Sequence, residues 1–379
     1  MPNRATTFLA LIALVAVLSM GGASTEACTG ITLHAEDGSP VYGRTLEWGT
    51  FDLKSRLIVI PRGTAFVGTT PDGKPGFAWK ATYGVAGIDA LEKDALADAM
   101  NEKGLVAGLF YHPGFAVYPE YAPARAARSI APTDVMTYIL TRFASLDEVR
   151  KGMGEVDVVP VVEPALGFPA PIHILVIDEA GKAIVLEWHE GSLRIFDAPL
   201  GVVTNAPTYD WHETNLRNYV NLSPVALPAK KIESLDFGPL GGGSGMIGLP
   251  GDFTPPSRFV RAVAFTQTAR PTGDGPETVY EALRILDNFN VPLGAAEGSD
   301  NDEAHGGTKG MRSSTIWTSV WDIRNKHLYY HTQHNRRLRR FDVDAVDWDA
   351  LKGDIVHLPL DREKKQDVDD VAMPARSSD

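Results

Sequence analysis

The period of hydrophobic and polar positions changes along the chain, and each change marks an element. Thr29–His34 and Val41–Trp48 have strand character and flank the turn residues Asp37-Gly38-Ser39-Pro40, which predicts a hairpin. Arg56–Ile60, Phe77–Tyr83, Ala95–Met100 and Leu105–Tyr111 continue the series, so the opening reads as a multi-stranded antiparallel sheet. Apolar residues then recur at helical spacing over Thr133–Phe143, and Ser145-Leu146-Asp147-Glu148 is a capping-box pattern that opens a second helix. Strands return at Ile172–Ile177, Ala183–Trp188 and Ser192–Phe196, and a short one, Val202–Thr204, runs into Asn205. Tyr209–Val220, Pro256–Thr268 and Glu277–Asn288 read as helices, with 221–245 between the first two as a loop ending in glycines. Ser313–Val320 and Lys326–Thr332 form a late hairpin, and Arg337–Val343 a last strand. This order predicts one layered α+β domain over residues 28–360, followed by a charged 361–379 tail expected to be disordered.

The first 27 residues have a different pattern. Arg4 precedes an apolar run, Phe8–Met20, and the small residues of Ser24-Thr25-Glu26-Ala27 follow, which is the layout of a cleaved signal peptide. A cut after Ala27 makes Cys28, the one cysteine of the chain, the first residue. Its thiol and free α-amine then form a nucleophile with a base on the same residue. Competing readings are an inert buried thiol, an intermolecular disulfide and a lipid-anchored cysteine; Thr25 and Glu26 fit the last poorly.

Composition narrows the partners. A net charge of -12 argues against nucleic acid, and no apolar stretch after the first is long enough to span a bilayer. The mature chain is therefore expected to be exported, periplasmic or secreted, without a stable membrane anchor. An α-amine (pKa about 7.7–8.0) and a thiol (about 8.5) are nearly matched, so a nearby cation would favour free amine and thiolate together. Arg44, on the strand that pairs with the one after Cys28, is the candidate cation, and Glu47 a carboxylate able to orient the amine. Asn205, before Ala206-Pro207, could donate to an oxyanion or accept from the amine. Arg258 sits in the first turn of a helix, where the dipole disfavours a cation. Trp48, Phe110 and Tyr111 are core residues or the lining of an apolar pocket. His331 and His334 have no acidic or cysteine partner set, and Gly241–Gly245 lacks the lysine of a phosphate loop, so neither a metal nor a nucleotide is read here.

Taken in order, Cys28-Thr29-Gly30-Ile31, Gly43–Trp48, Asn101–Leu105, Thr204–Thr208 and Gly248–Asp252 through Pro256–Phe259 resemble the choloylglycine hydrolase family, which includes bile salt hydrolases and penicillin V acylases. The resemblance implies an N-terminal nucleophile hydrolase with a four-layer αββα sandwich, acting on a small N-acyl amide without a cofactor. It implies Cys28 as nucleophile and base, Arg44 and Arg258 as supporting arginines, and Asn205 in the oxyanion hole. Glu47 departs from the family's aspartate, and Tyr111 (or Phe110) matches a tyrosine of penicillin V acylases that is asparagine in bile salt hydrolases. Residues 221–245 resemble the loop through which family members form homotetramers. Acyl transfer by the same cysteine, or a non-catalytic acyl-binding protein, are the rival functions.

Overall fold

The computed structural model describes residues 28–49, 52–296, 312–351 and 353–373; the segment read as a signal peptide lies outside them. Two antiparallel sheets dominate. The smaller has five strands in the order Thr29–His34, Pro40–Trp48, Ser314–Asp322, His327–Thr332 and Arg339–Asp342. The larger has eight, in the order Ser192–Asp197, Ala183–His189, Ile172–Ile177, Val106–Tyr111, Ala95–Asn101, Val85–Ala90, Arg56–Ile60 and Val356–Pro359.

Strand periodicity shows how the layers stack. Every residue of Ile172–Ile177 is buried, so both faces of the larger sheet are covered. Leu175 and Ile177 pack in the core shared with the smaller sheet, whereas Ile172, Ile174 and Val176 pack with Met136, Ile139 and Leu140 of the helix Val135–Arg142. The outer face of the smaller sheet is covered by the helices Pro255–Gln267 and Gly275–Leu286, whose Phe259, Val279, Ala282 and Leu286 join the core of Ile31, Val41 and Val320. The layers are thus helix, sheet, sheet, helix: the expected αββα sandwich. No described helix is long and apolar enough to cross a membrane.

Departures from the sequence reading have local causes. The strand expected over 77–83 shrinks to Ala78–Lys80 and pairs with Ala65–Val67 in a separate ribbon. Val85–Ala90 was hidden because Gly87 and Asp89 interrupt its apolar run. That glycine is needed, since a Cβ there would lie 2.3 Å from the Asp98 carbonyl oxygen. The helix from Tyr209 ends at Leu216, and the 221–245 loop contains an exposed hairpin, Lys230–Ile232 with Leu235–Phe237. Residues 361–373 have no helix or strand; Asp361 pairs with Arg339 and Asp367 with Arg337.

One bridge positions the chemistry. Gly30 and Val203 exchange backbone hydrogen bonds of 2.8 and 3.1 Å in an antiparallel bridge, so Cys28, two residues before, meets Asn205, two residues after. Only glycine fits at position 30, because a Cβ would lie 2.7 Å from Cζ of Phe110.

Candidate active site

Cys28 is buried at the start of the first strand. Its backbone N–H donates to Oδ1 of Asn205 at 2.8 Å, and its carbonyl accepts from Nη1 of Arg258. The same guanidinium donates to Thr29 Oγ1 at 2.9 Å, to Asn205 Oδ1 at 2.7 Å and, through Nε, to the Phe253 carbonyl at 2.8 Å. Arg258 is fully buried, and its place in the first helical turn lets it reach inward rather than to solvent.

Chemistry fixes the orientation of the Asn205 carboxamide. Cys28 N and Arg258 Nη2 are donors and so face its oxygen, and Nδ2 donates to the Tyr111 carbonyl at 2.6 Å. Of the two roles read from the sequence, acceptor for the Cys28 nitrogen is the one this geometry displays; the visible Nδ2 bond goes to the protein backbone.

Arg44 pairs with Gly30 across the hairpin and is 0 % exposed. Its guanidinium lies 4.3 Å from the centre of the Phe110 ring and donates to the carbonyls of Ala97 (3.0 Å) and Leu109. Phe110, read from the sequence as substrate-binding, lies against Arg44 and does not line the cavity beside Cys28. Tyr111, its neighbour on the strand, does face the cavity, because successive strand residues point to opposite faces.

Electrostatics at the thiol are opposed. Burial pushes the Cys28 thiol up, Arg44 and Arg258 pull it down, the Glu47 charge raises it, and the Glu47 backbone N–H lowers it. Burial also lowers Arg258 to about 10, leaving it charged at neutral pH. Glu47 is 0 % exposed, accepts from Thr315 Oγ1 at 2.7 Å, and is pushed up to about 7 by burial against the pull of Arg258 and Arg44. Its Oε2 has no hydrogen-bond partner among the described residues. The folded chain thus holds a proton on Glu47 that an unfolded chain releases near 4.5, so stability falls as pH rises between those values. Glu47→Gln should remove this loss, on the order of 3 kcal/mol at full burial. Urea unfolding of the uncut chain at pH 5 and pH 8 checks it: the variant's advantage should be larger at pH 8.

Beside the thiol lies an apolar cavity of about 90 Å³ walled by Leu46, Trp48, Leu53, Leu91, Leu109, Tyr111 and Leu166. Trp48 and Tyr111 meet edge to face at 5.4 Å. The leucines and Thr29, Thr315 and Phe253 carried no chemical mark in the sequence; only their contacts reveal them.

A sequence profile of the linear amide C–N hydrolases, choloylglycine hydrolase family, matches residues 28–355. A bile salt hydrolase/transferase from Clostridium perfringens is 31% identical over 329 residues, covering 85% of this chain and 94% of that protein. A penicillin V acylase from Pectobacterium atrosepticum is 23% identical over 380 residues, covering 94% and 92%. The crystal structure of a variant conjugated bile acid hydrolase from Clostridium perfringens superposes with a TM-score of 0.77 at 27% identity, covering 91% of this chain and all of that one. With its αββα layers and the match opening on Cys28, this chain belongs to the choloylglycine hydrolase family of linear amide C–N hydrolases.

Proposed function

We propose that the protein is an exported amidase whose nucleophile is Cys28, made N-terminal by removal of residues 1–27. The observation that carries this reading is the convergence on Cys28: its nitrogen lies 2.8 Å from Asn205 Oδ1, two buried arginines surround it, and an apolar cavity opens beside the thiol. Cleavage turns a peptide nitrogen into an amine next to an acceptor that leaves its lone pair free.

The amine takes the thiol proton, and the thiolate attacks the acyl carbon, moving an electron pair onto oxygen. An amide nitrogen carries two N–H groups; Asn205 spends one on Tyr111, and the other serves the oxyanion together with backbone donors. The ammonium then protonates the leaving amine as the C–N bond breaks. Water, deprotonated by the same amine, hydrolyses the thioester. Arg44 and Arg258 favour thiolate and neutral amine together. No metal or organic cofactor enters these steps.

The acyl group is compact and apolar, in keeping with the leucine, tryptophan and tyrosine walls, and an aryl acyl such as phenoxyacetyl is the leading candidate. A panel of penicillin V, a conjugated bile salt and an N-acyl homoserine lactone, ranked by kcat/KM, tests it. Tyr111→Ala should raise KM for the phenoxyacetyl substrate roughly 10-fold and relax the preference towards bulkier acyl groups. A ranking led by the bile salt in wild-type protein would exclude the aryl reading. The transferase part of the Clostridium perfringens relative's name favours a second reading, acyl transfer to an amine. Product analysis with and without added glycine separates the two.

The exposed Ile232, Leu235, Phe237 and Leu240 support a homotetramer assembled through the 221–245 arm. Light scattering after size exclusion should give four times the monomer mass, and a Leu235→Asp, Phe237→Asp variant should give a smaller species; a wild-type monomer rules the arm out.

A further inference from the structure

We propose that His173 and Glu187, on adjacent strands of the larger sheet, are positioning residues for the reaction: they clamp the backbone that presents Asn205 to Cys28. The inference rests on the amidase reading of Cys28. Both side chains are buried, and neither lines the cavity beside the thiol, so any effect on the chemistry passes through Asn205.

His173 is held at both ring nitrogens. Nδ1 lies 2.9 Å from Glu187 Oε1, and Nε2 lies 3.0 Å from the carbonyl oxygen of Thr204. Burial pushes the Glu187 carboxyl up, but the hydrogen bond and charge of His173, with His112 and the Tyr209 N–H, bring it down to about 2. Glu187 is therefore a carboxylate, and both partners of His173 are acceptors. The ring therefore bridges a carboxylate on one side and the backbone carbonyl of the residue before Asn205 on the other.

Neighbouring groups extend the clamp. Glu187 also accepts from the Tyr209 N–H at 3.1 and 3.2 Å and from His189 Nε2 at 2.7 Å. His212 Nε2 donates to the Asn205 carbonyl at 3.1 Å, and His112 Nε2 to the Pro207 carbonyl at 3.2 Å. The carbonyls of residues 204, 205 and 207 each receive one imidazole N–H. His112 stacks on His173 at 4.3 Å with 7° between ring planes, which fixes the lateral position of the ring.

The donor atoms of His112, His173 and Glu187 are also close enough together for a metal site. Both nitrogens of His173 already lie at hydrogen-bond distance from oxygen atoms. A cation could bind only by releasing Thr204, so the hydrogen-bonded clamp is the reading these contacts support.

The test compares wild type, Glu187→Gln, His173→Gln and Cys28→Ala in mature protein, with penicillin V as the amide. Trp79→Phe, which loses a 3.1 Å bond to Thr141 away from the site, is the control for general destabilisation. The expected result is a 10- to 100-fold fall in kcat for Glu187→Gln and His173→Gln, with KM within about threefold of wild type. Trp79→Phe should keep wild-type kcat. Alkylation of Cys28 by iodoacetamide at pH 6 should change at least threefold in Glu187→Gln, a readout that needs no amide turnover. A folded Glu187→Gln with wild-type kcat and alkylation rate overturns the proposal. So does failure of both variants to fold at 10 °C, since the pair is then a folding element. Amide turnover retained by Cys28→Ala overturns the amidase reading instead, and the alkylation rate still decides the clamp.

Discussion

Cys28→Ala is expected to lower amide hydrolysis on the order of 10⁴-fold or more, with the fold intact. Residue 28 is the only cysteine in the chain, and it sits where the cavity meets Asn205 and Arg258. Alanine removes the thiol and leaves every backbone bond at this position available, including those to Asn205 and Arg258. The loss should therefore appear in kcat, while binding of the acyl amide persists. Cys28→Ser retains an attacking atom, but a hydroxyl gives up its proton far less readily than a thiol at neutral pH, so its turnover should also fall by orders of magnitude. Steady-state kinetics with calorimetric binding to the inactive variant measures both parts.

Asn205→Ala has the second largest expected effect, a fall in kcat of roughly 10²–10³-fold together with a loss of stability. One carboxamide accepts from Cys28 N and Arg258 Nη2 and donates to the Tyr111 carbonyl, all in a site that is 1 % exposed at Asn205. Truncation strands two donors and an acceptor at once. Each buried polar group left unmade costs about 1–3 kcal/mol, more beside a charge, so urea unfolding should show a drop of several kcal/mol. A variant with unaltered stability and turnover would mean that these contacts do not hold Cys28 in place.

The site was legible in the sequence where a residue's chemistry was unusual for its local setting. Cys28 stood alone behind an apolar leader, Arg258 lay in a helical turn that disfavours cations, and Asn205 closed a short apolar strand; all three meet in the fold. The burial of Arg44 was not legible, because a strand's period of two does not reveal that both faces are covered. The choice between Phe110 and Tyr111 was open for the same reason: one residue along a strand exchanges the cavity wall for a place against Arg44. His173 and Glu187 went unseen because they meet across two strands, and each by itself is an ordinary polar residue in an apolar run. A layered α+β domain followed from element order and the αββα arrangement from the family resemblance, whereas Val85–Ala90 and Val356–Pro359 needed the partner strands to become visible.

The most direct test of the account is whether turnover requires a free α-amine on Cys28. Protein is prepared with one additional residue before Cys28, removable by an aminopeptidase, and activity is followed alongside intact mass. Negligible hydrolysis is expected before trimming, followed by a rise in proportion to the fraction of chains that begin at Cys28. Full turnover with the additional residue still attached would contradict it.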